Sequence, residues 1–327
     1  MSFSTIHEKC TPALISPAQD EILDNGCIQG QDTTSWSFQW SSCEEAFSYN
    51  LYVKSSTAVY PAVDIETPNN SFIHEFKGYA SVPSGWKWKV RAKIDEEWGE
   101  WSNEGTFDVE PLDTDCEVVF DVDYNRYNTV RIGDHVWTIE NLKTTKYSNG
   151  DAIPTGWYSW YNNDINNKNK YGALYNFDAV VNDKNICPIG WHVPTDEEWT
   201  KLEIYLQNNG YNFDGTIDTD NERGTNNKIA KSMASRSDWN FNSNVGVPGN
   251  TDFPPYRNKS CFSGLPGGFL NYDGTFYSIG AFGAWWTSTP DDGLNSYHRH
   301  ITFADTDMIR WSSANCFGFS VRCIKDN

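Results

Sequence analysis

Between Trp286 and Asn315 the chain gathers side chains suited to binding rather than to bond making. Trp286, Ser288, Asn295, Tyr297, Arg299, Asp307, Arg310, Trp311 and Asn315 combine rigid aromatic area, guanidinium forks and adaptable amide and carboxylate groups. These residue types are enriched in binding hot spots and paratopes. His298, His300 and Asp305 crowd the same stretch. Those first nine residues are the expected ligand-binding set, carried on strand-like sequence whose alternation turns about half of its side chains outward.

Templates for catalysis are missing. The sequence has no G-x-S-x-G, no H-E-x-x-H and no phosphate-binding glycine loop, and its six histidines are scattered. No catalytic residue is expected; a carboxylate pair meeting in space is an arrangement that sequence leaves open. Eight cysteines form no C-x-x-C pair and no finger spacing, which argues against zinc. Asp214, Asp218, Asp220 and Glu222 offer hard oxygen ligands, but their spacing is not that of an EF-hand, so a solvated acidic loop is preferred over a calcium site. No metal or other cofactor is expected, with calcium the one ion kept open.

Elements that hold such a surface must be β-rich. Trp 15, Tyr 17 and Phe 18 raise the aromatic share to 15%, favouring large rings in irregular β cores. A length of 327 residues suits two or three domains, and a boundary falls at Glu110-Pro-Leu-Asp-Thr-Asp-Cys116, where proline and acids break the strand pattern. The domains are therefore read as 1–112 and 113–327, with a linker short enough to limit their swing. The net charge of −19 divides into −10 (7 basic, 17 acidic residues) and −9 (18 basic, 27 acidic), with no basic run that would release counterions from phosphates. Nucleic acid is excluded as a partner. No segment is apolar for the roughly 18 residues a bilayer crossing needs. Met1-Ser-Phe-Ser-Thr-Ile-His-Glu-Lys-Cys10 lacks the blocks of a signal peptide, so the chain reads as soluble.

In the first domain, Trp36-Ser-Phe-Gln-Trp40 and Tyr49-Asn-Leu-Tyr-Val53 alternate large and small residues. Trp86, Trp88, Val90, Ala92 and Ile94 share one face of a further strand. This order, followed by Trp98-Gly-Glu-Trp-Ser102 and Phe107-Asp-Val109, resembles a fibronectin type III domain, whose family works in spacing, docking or loop-mediated binding. Trp98 and Trp101 are expected to pack on their own sheet rather than offer a sugar platform.

In the second domain, Cys116–Val122 and Tyr127–Trp137 alternate, and Gly133-Asp134 supplies a hairpin turn. Thr195 caps a helix with Glu198 completing a capping box. The helix should run to about Asn208, bury Trp199, Leu202, Tyr205 and Leu206, and end at Gly210. His192 is read as structural, and residues 208–260 as long polar loops. Several blocks then stand in order: Trp137-Thr-Ile-Glu-Asn-Leu142, Tyr171-Gly-Ala-Leu-Tyr-Asn-Phe177, Cys187-Pro-Ile-Gly-Trp-His-Val-Pro-Thr-Asp-Glu-Glu-Trp199, Gly264-Leu-Pro-Gly-Gly268, Trp285-Trp-Thr-Ser-Thr289 and Gly318-Phe-Ser-Val-Arg-Cys323. Over residues 114–327 they resemble the Fibrobacter succinogenes major paralogous domain, a family related to C-type lectin-like and formylglycine-generating folds.

That resemblance implies a mainly β chain with some α: an N-terminal fibronectin III/Ig-like β-sandwich and a C-terminal α+β C-type lectin-like domain. It also implies a preferred Cys187–Cys323 bridge and a weaker Cys261–Cys316 pair, against the alternative that all eight cysteines stay thiols in a reducing compartment. The closing strand further resembles the variable region of retroelement-diversified binding proteins. The function implied is non-enzymatic recognition of a bacterial surface glycan or protein. A virion protein assembled in the host cytoplasm is the first context, with possible neighbours among other virion proteins, and an extracellular or cell-surface adhesin is the alternative. An oxidase of the formylglycine-generating type, using Cys316 and Cys323, is the minor alternative.

Overall fold

The computed structural model describes residues 10–23, 25, 33–77, 80, 82–110, 118–217 and 226–326. The chain divides into two compact units, Met1–Leu112 and Asp113–Asn327.

The first unit is a β-sandwich. Its strands are β1 (Leu14–Ser16), β2 (Glu21–Leu23), β3 (Thr33–Trp40), β4 (Ser48–Ser55), β5 (Val63–Thr67), β6 (Ser71–Lys77), β7 (Trp86–Ile94), β8 (Glu97–Trp98) and β9 (Gly105–Val109). One sheet has the order β1-β3-β6 and the other β2-β9-β7-β4-β5, the strand arrangement of a fibronectin III-type domain. Period-2 alternation explains the core: Trp36, Phe38 and Trp40 of β3 meet Trp86, Trp88, Val90 and Ala92 of β7. The Trp36 ring lies 4.9 Å from Trp86 and 5.4 Å from Phe107, both edge-on, the geometry that adds ~0.5–1.5 kcal/mol per pair. Cys10 and Cys43 form a disulfide that sequence did not single out.

Trp98 and Trp101 do pack on their own sheet. Arg91 lies over both rings at 4.8 and 4.4 Å, while Lys89 covers Trp101 and Lys93 covers Trp98. These cation–π contacts tie both rings to the strand that carries Arg91.

The second unit opens with a hairpin of β10 (Thr129–Ile132) and β11 (His135–Thr138), turned at Gly133-Asp134 with Gly133 at φ +61°. Before it, of the strand read over 116–122, residues 116 and 117 lie outside the described residues; Val119–Phe120 pairs with Arg126–Tyr127 and Asp121 then bends the chain. Asp121 Oδ1 accepts from the backbone N–H groups of Asp123 and Asn125. β12 (Trp191–His192) precedes helix α1 (Asp196–Asn208). Thr195 caps α1 in a complete capping box with Glu198, and Gly210 at φ +77° follows its end. His192 bridges Glu198 and Asp326, which keeps it structural.

Trp199, Leu202 and Leu206 are buried as the helical spacing demands, but Tyr205 is not. Glu203 and Gln207 occupy the inward face instead, because Glu203 pairs with an arginine beneath the helix. Beyond the loops come β13 (Gly267–Leu270), β14 (Phe276–Ile279), β15 (Phe282–Pro290), β16 (Asn295–Thr302), β17 (Ile309–Ala314) and β18 (Ile324–Lys325). Five strands form the order β14-β13-β15-β16-β17; the other four give β10-β11-β18-β12, so the last strand lies between the hairpin and the segment before α1. The Cys187–Cys323 disulfide closes this arrangement. The Cys261–Cys316 pair does not form, since Cys316 carries a free, exposed thiol.

A buried polar centre joins the sequence blocks. Arg322 is fully buried and donates to Asn141 Oδ1 (2.7 Å), Thr138 O (2.7 Å), Phe262 O (2.9 Å) and Ser263 O (3.2 Å). Asn141 Oδ1 also accepts from Trp285 Nε1 at 2.9 Å, and its amide donates to Tyr171 O and Ser320 Oγ. Asn141→Ala leaves a buried cation and an indole N–H short of an acceptor, so a loss of about 3 kcal/mol or more is expected in urea unfolding. A loss under about 1 kcal/mol would show that the centre is dispensable.

Candidate functional site

Strand pairing sorts the expected binding residues onto two faces of the five-stranded sheet. Trp285, Arg299 and Arg310 stand opposite one another across β15, β16 and β17, as do Trp286, His298 and Trp311. Members of one row share a face, and neighbouring rows point to opposite faces.

The face carrying Arg299 meets α1. Arg299 is 0% exposed and uses its whole fork: Nε donates to Glu203 Oε1, Nη1 to Asp196 Oδ1 (2.6 Å), and Nη2 to Asp196 O (3.2 Å) and Thr200 Oγ1 (3.1 Å). Burial pushes the Glu203 carboxyl up to about 7 against the pull of Arg299. Burial also raises Asp196, but hydrogen bonds from Arg310 and Arg299 outweigh it and leave that carboxyl below its ordinary value. Arg310 binds both Asp196 oxygens at 2.9 Å and lies 3.7 Å over the Tyr297 ring, whose hydroxyl donates to Asp291.

Two members of the expected set are therefore corrected. Arg299 holds the helix and is closed to a ligand. Trp286 is 0% exposed, with Nε1 donating to Tyr175 O at 2.7 Å and its ring against Phe177 and Phe319. It belongs to a strand in mid-sheet that is covered on both sides, so alternation exposes neither face there. The others stay at or near the surface without forming one patch. Asn295 is held by Asp292, Asn315 accepts from Ser296 Oγ, Asp307 accepts from Thr306, and half-buried Ser288 has its backbone tied to Pro194.

On the opposite face lies an open pocket of about 440 Å³, lined by Phe269, Phe282, His298, His300, Ile309, Trp311, Ser313, Phe317 and Phe319. Its size falls within the ~300–1,000 Å³ range of ligand sites. Trp311 is 63% exposed at its rim. His298 Nε2 lies 3.1 Å from Ser313 Oγ, while Nδ1 of both His298 and His300 has no hydrogen-bond partner. Burial pushes the two imidazoles down to about 3 and about 4, so both are neutral at pH 7.

Trp311 is the one expected binding residue that lines this pocket. Phe269 and Phe319 lay in or beside blocks read as structural, Phe282 and Phe317 were not singled out, and the two histidines were noticed without a partner. The available signal was register, since His298 and His300 fall opposite Trp311 and Ile309.

The site holds no cysteine pair. Cys323 is buried in its disulfide, and among the described residues only Cys316 is free, which removes the paired Cys316–Cys323 thiols of the oxidase alternative. Among the described residues no group of three or more His, Cys, Asp or Glu side chains is placed to hold a metal. Asp214 is engaged by Thr216 and Lys228, and Asp218, Asp220 and Glu222 lie outside the described residues.

The sequence model of the Fibrobacter succinogenes major domain matches residues 130–325, well over half of the chain. The chain belongs to that family. A comparison with curated proteins finds no match. Matches among solved structures include the crystal structure of FN3tt, at 15% identity and TM-score 0.19, covering 30% of this chain and 95% of that one. The FN1–FN3 domains of chicken CNTN1 match at 15% identity and TM-score 0.20, covering 37% of this chain and 43% of that one. Within the Fibrobacter succinogenes major domain, the pocket and the arginine-bearing face both fall inside the matched residues.

Two measurements separate the faces. Trp286→Ala is expected to cost about 3–5 kcal/mol in urea unfolding and Trp311→Ala no more than about 0.5 kcal/mol; equal losses would refute the assignment. The second uses pH. A raised Glu203 pKa means that the folded state keeps a proton which the unfolded chain releases from its ordinary 4.5 upward. The stability Glu203 contributes is therefore full below 4.5 and lost as pH rises through about 7. The unfolding free energy of the wild type minus that of Glu203→Gln should fall across this window, and a flat difference would mean that Arg299 keeps the carboxylate charged throughout.

Proposed function

We propose that this protein is a non-enzymatic recognition protein of the adhesion type, whose Fibrobacter succinogenes major domain binds a partner through the pocket face of its five-stranded sheet. The observation that carries the reading is the open aromatic pocket with Trp311 exposed at its rim. Contiguous apolar concavity with a few polar groups is the usual form of a binding site. Membership of the family and the preceding fibronectin III-type sandwich support it, since both are domain types used for display and binding.

The partner is a component of a bacterial surface, a protein or a glycan, and the protein acts outside the cell. The Cys10–Cys43 and Cys187–Cys323 disulfides support that placement, because such bridges persist in oxidising surroundings. Display on a cell surface and display on a virion present the same domain to the same kind of partner; the disulfides favour the former, where export precedes folding.

The test is binding of the fluorescently labelled full chain to a panel of intact bacteria. Saturable binding to at least one strain is expected, with a loss of about tenfold or more in Trp311→Ala/Phe317→Ala and no change on adding EDTA. Absence of binding across the panel, or unchanged binding by the double variant, would sink the reading. Loss in EDTA would return the acidic loop as a metal site.

A further inference from the structure

The lining chemistry of the pocket narrows its ligand, on the reading that this face is the binding surface. We propose that the pocket takes the phenol ring of a tyrosine side chain presented by a protein partner, with the phenol hydroxyl meeting His300. Three observations lead there.

The walls are nearly all ring and hydrocarbon, contributed by Phe269, Phe282, Ile309, Trp311 and Phe317. A hexose lays a C–H face on a ring but carries several hydroxyls that each need a directed partner once dehydrated. Here the side-chain polar atoms are one serine hydroxyl, already within 3.1 Å of His298, the two imidazoles and the indole N–H of the rim residue Trp311. A sugar would be left with unmet hydroxyls, whereas a single hydroxyl would not.

No lining residue carries a formal charge of the Lys, Arg, Asp or Glu kind, and the imidazoles are neutral at pH 7. A carboxylate or phosphate would enter this apolar space without a counter-charge, at a heavy desolvation cost. Asp305, which acts electrostatically on His300, adds repulsion. The ligand group is accordingly uncharged.

His300 makes no side-chain hydrogen bond among the described residues, and its ring is only half-buried, 4.8 Å from Phe282. A neutral imidazole presents one donor and one acceptor, and a phenol hydroxyl serves either tautomer because it can both give and accept. The rim favours a protein over a free small phenol. Tyr277 stacks on Phe269 at 5.6 Å and Tyr272, 72% exposed, lies 6.1 Å from Phe317, so aromatic surface continues past the space one ring can fill. Such a rim around a buried anchor is the anatomy of a protein interface.

Titration of the full chain with N-acetyltyrosinamide, N-acetylphenylalaninamide and methyl α-glucoside, followed by the Trp311 indole signal in NMR, tests this. The tyrosine derivative is expected to saturate, the phenylalanine derivative to bind about fivefold more weakly for want of one hydrogen bond, and the glucoside to leave the signal unmoved. His300→Phe should erase the difference between the two amides while the fold, read by circular dichroism, is kept. Equal binding of both amides to the wild type, or saturation by the glucoside alone, would overturn the proposal. A self-associated full chain that dissociates on Trp311→Ala would also overturn it, by making a second copy the occupant. Cell binding that persists while N-acetyltyrosinamide neither binds nor competes sinks this inference and leaves the recognition reading standing; amide binding without cell binding does the reverse.

Discussion

A buried guanidinium without a carboxylate partner sets the terms for the second unit. Arg322 donates its hydrogen bonds to one amide oxygen and three backbone carbonyls, and burial pushes its pKa down only to about 9, so it stays charged at pH 7. A cation in such surroundings tolerates no missing oxygen, because each lost acceptor returns part of its desolvation cost. Its four acceptors come from the end of the hairpin, from Asn141 and from the loop before β13. Those segments are therefore fixed relative to the closing strand, and Asn141 extends the constraint to Trp285 and Tyr171. The family blocks around residues 137–142, 171–177, 285–289 and 318–323 meet at this point, which is a physical reason for their residue types.

The second buried arginine solves its desolvation differently. Arg299 is matched by Glu203 and Asp196 from α1, and Arg310 adds a second guanidinium on the same Asp196. Asp196 stands in the first turn of the helix, where the macrodipole favours an anion, so capping and ion pairing reinforce one another. This network fixes how the helix lies on the sheet. Buried ion pairs add little net stability over apolar packing, but a mispaired alternative leaves a charge stranded, so the geometry becomes specific.

Much of the scaffold was legible in local pattern. Alternation gave the strands of the sandwich, Thr195 and Glu198 gave the helix start, and Gly133-Asp134 gave the hairpin. The site was less legible because type and spacing do not say which side of a sheet faces solvent. Trp286 and Arg299 have the composition of a hot spot, yet one lies in a doubly covered strand and the other beneath a helix some hundred residues earlier in sequence. Tyr205 and Glu203 exchange their expected environments for the same reason: the partner of Glu203 is supplied by a distant strand. Nothing in local pattern marks Phe269, Phe282 and Phe317 as surface rings, and the structure leaves all three half-buried around the pocket.

Strand alternation then separates two tasks that one stretch of sequence has to perform. In β16 and β17, Arg299 and Arg310 point to the helix while His298, His300, Ile309, Trp311 and Ser313 point to the pocket. A change in the second group alters the shape and polarity presented to a partner without entering the ion network, since the backbone between them lies in a hydrogen-bonded ladder. A change in the first group strands a charge and disturbs the helix. Beneath the pocket, Trp286 and Phe319 form a rigid floor tied to Tyr175 and to the disulfide-closed strand. The pocket face thus separates residues whose change reshapes the concavity from the buried rings beneath it, with Phe319 belonging to both.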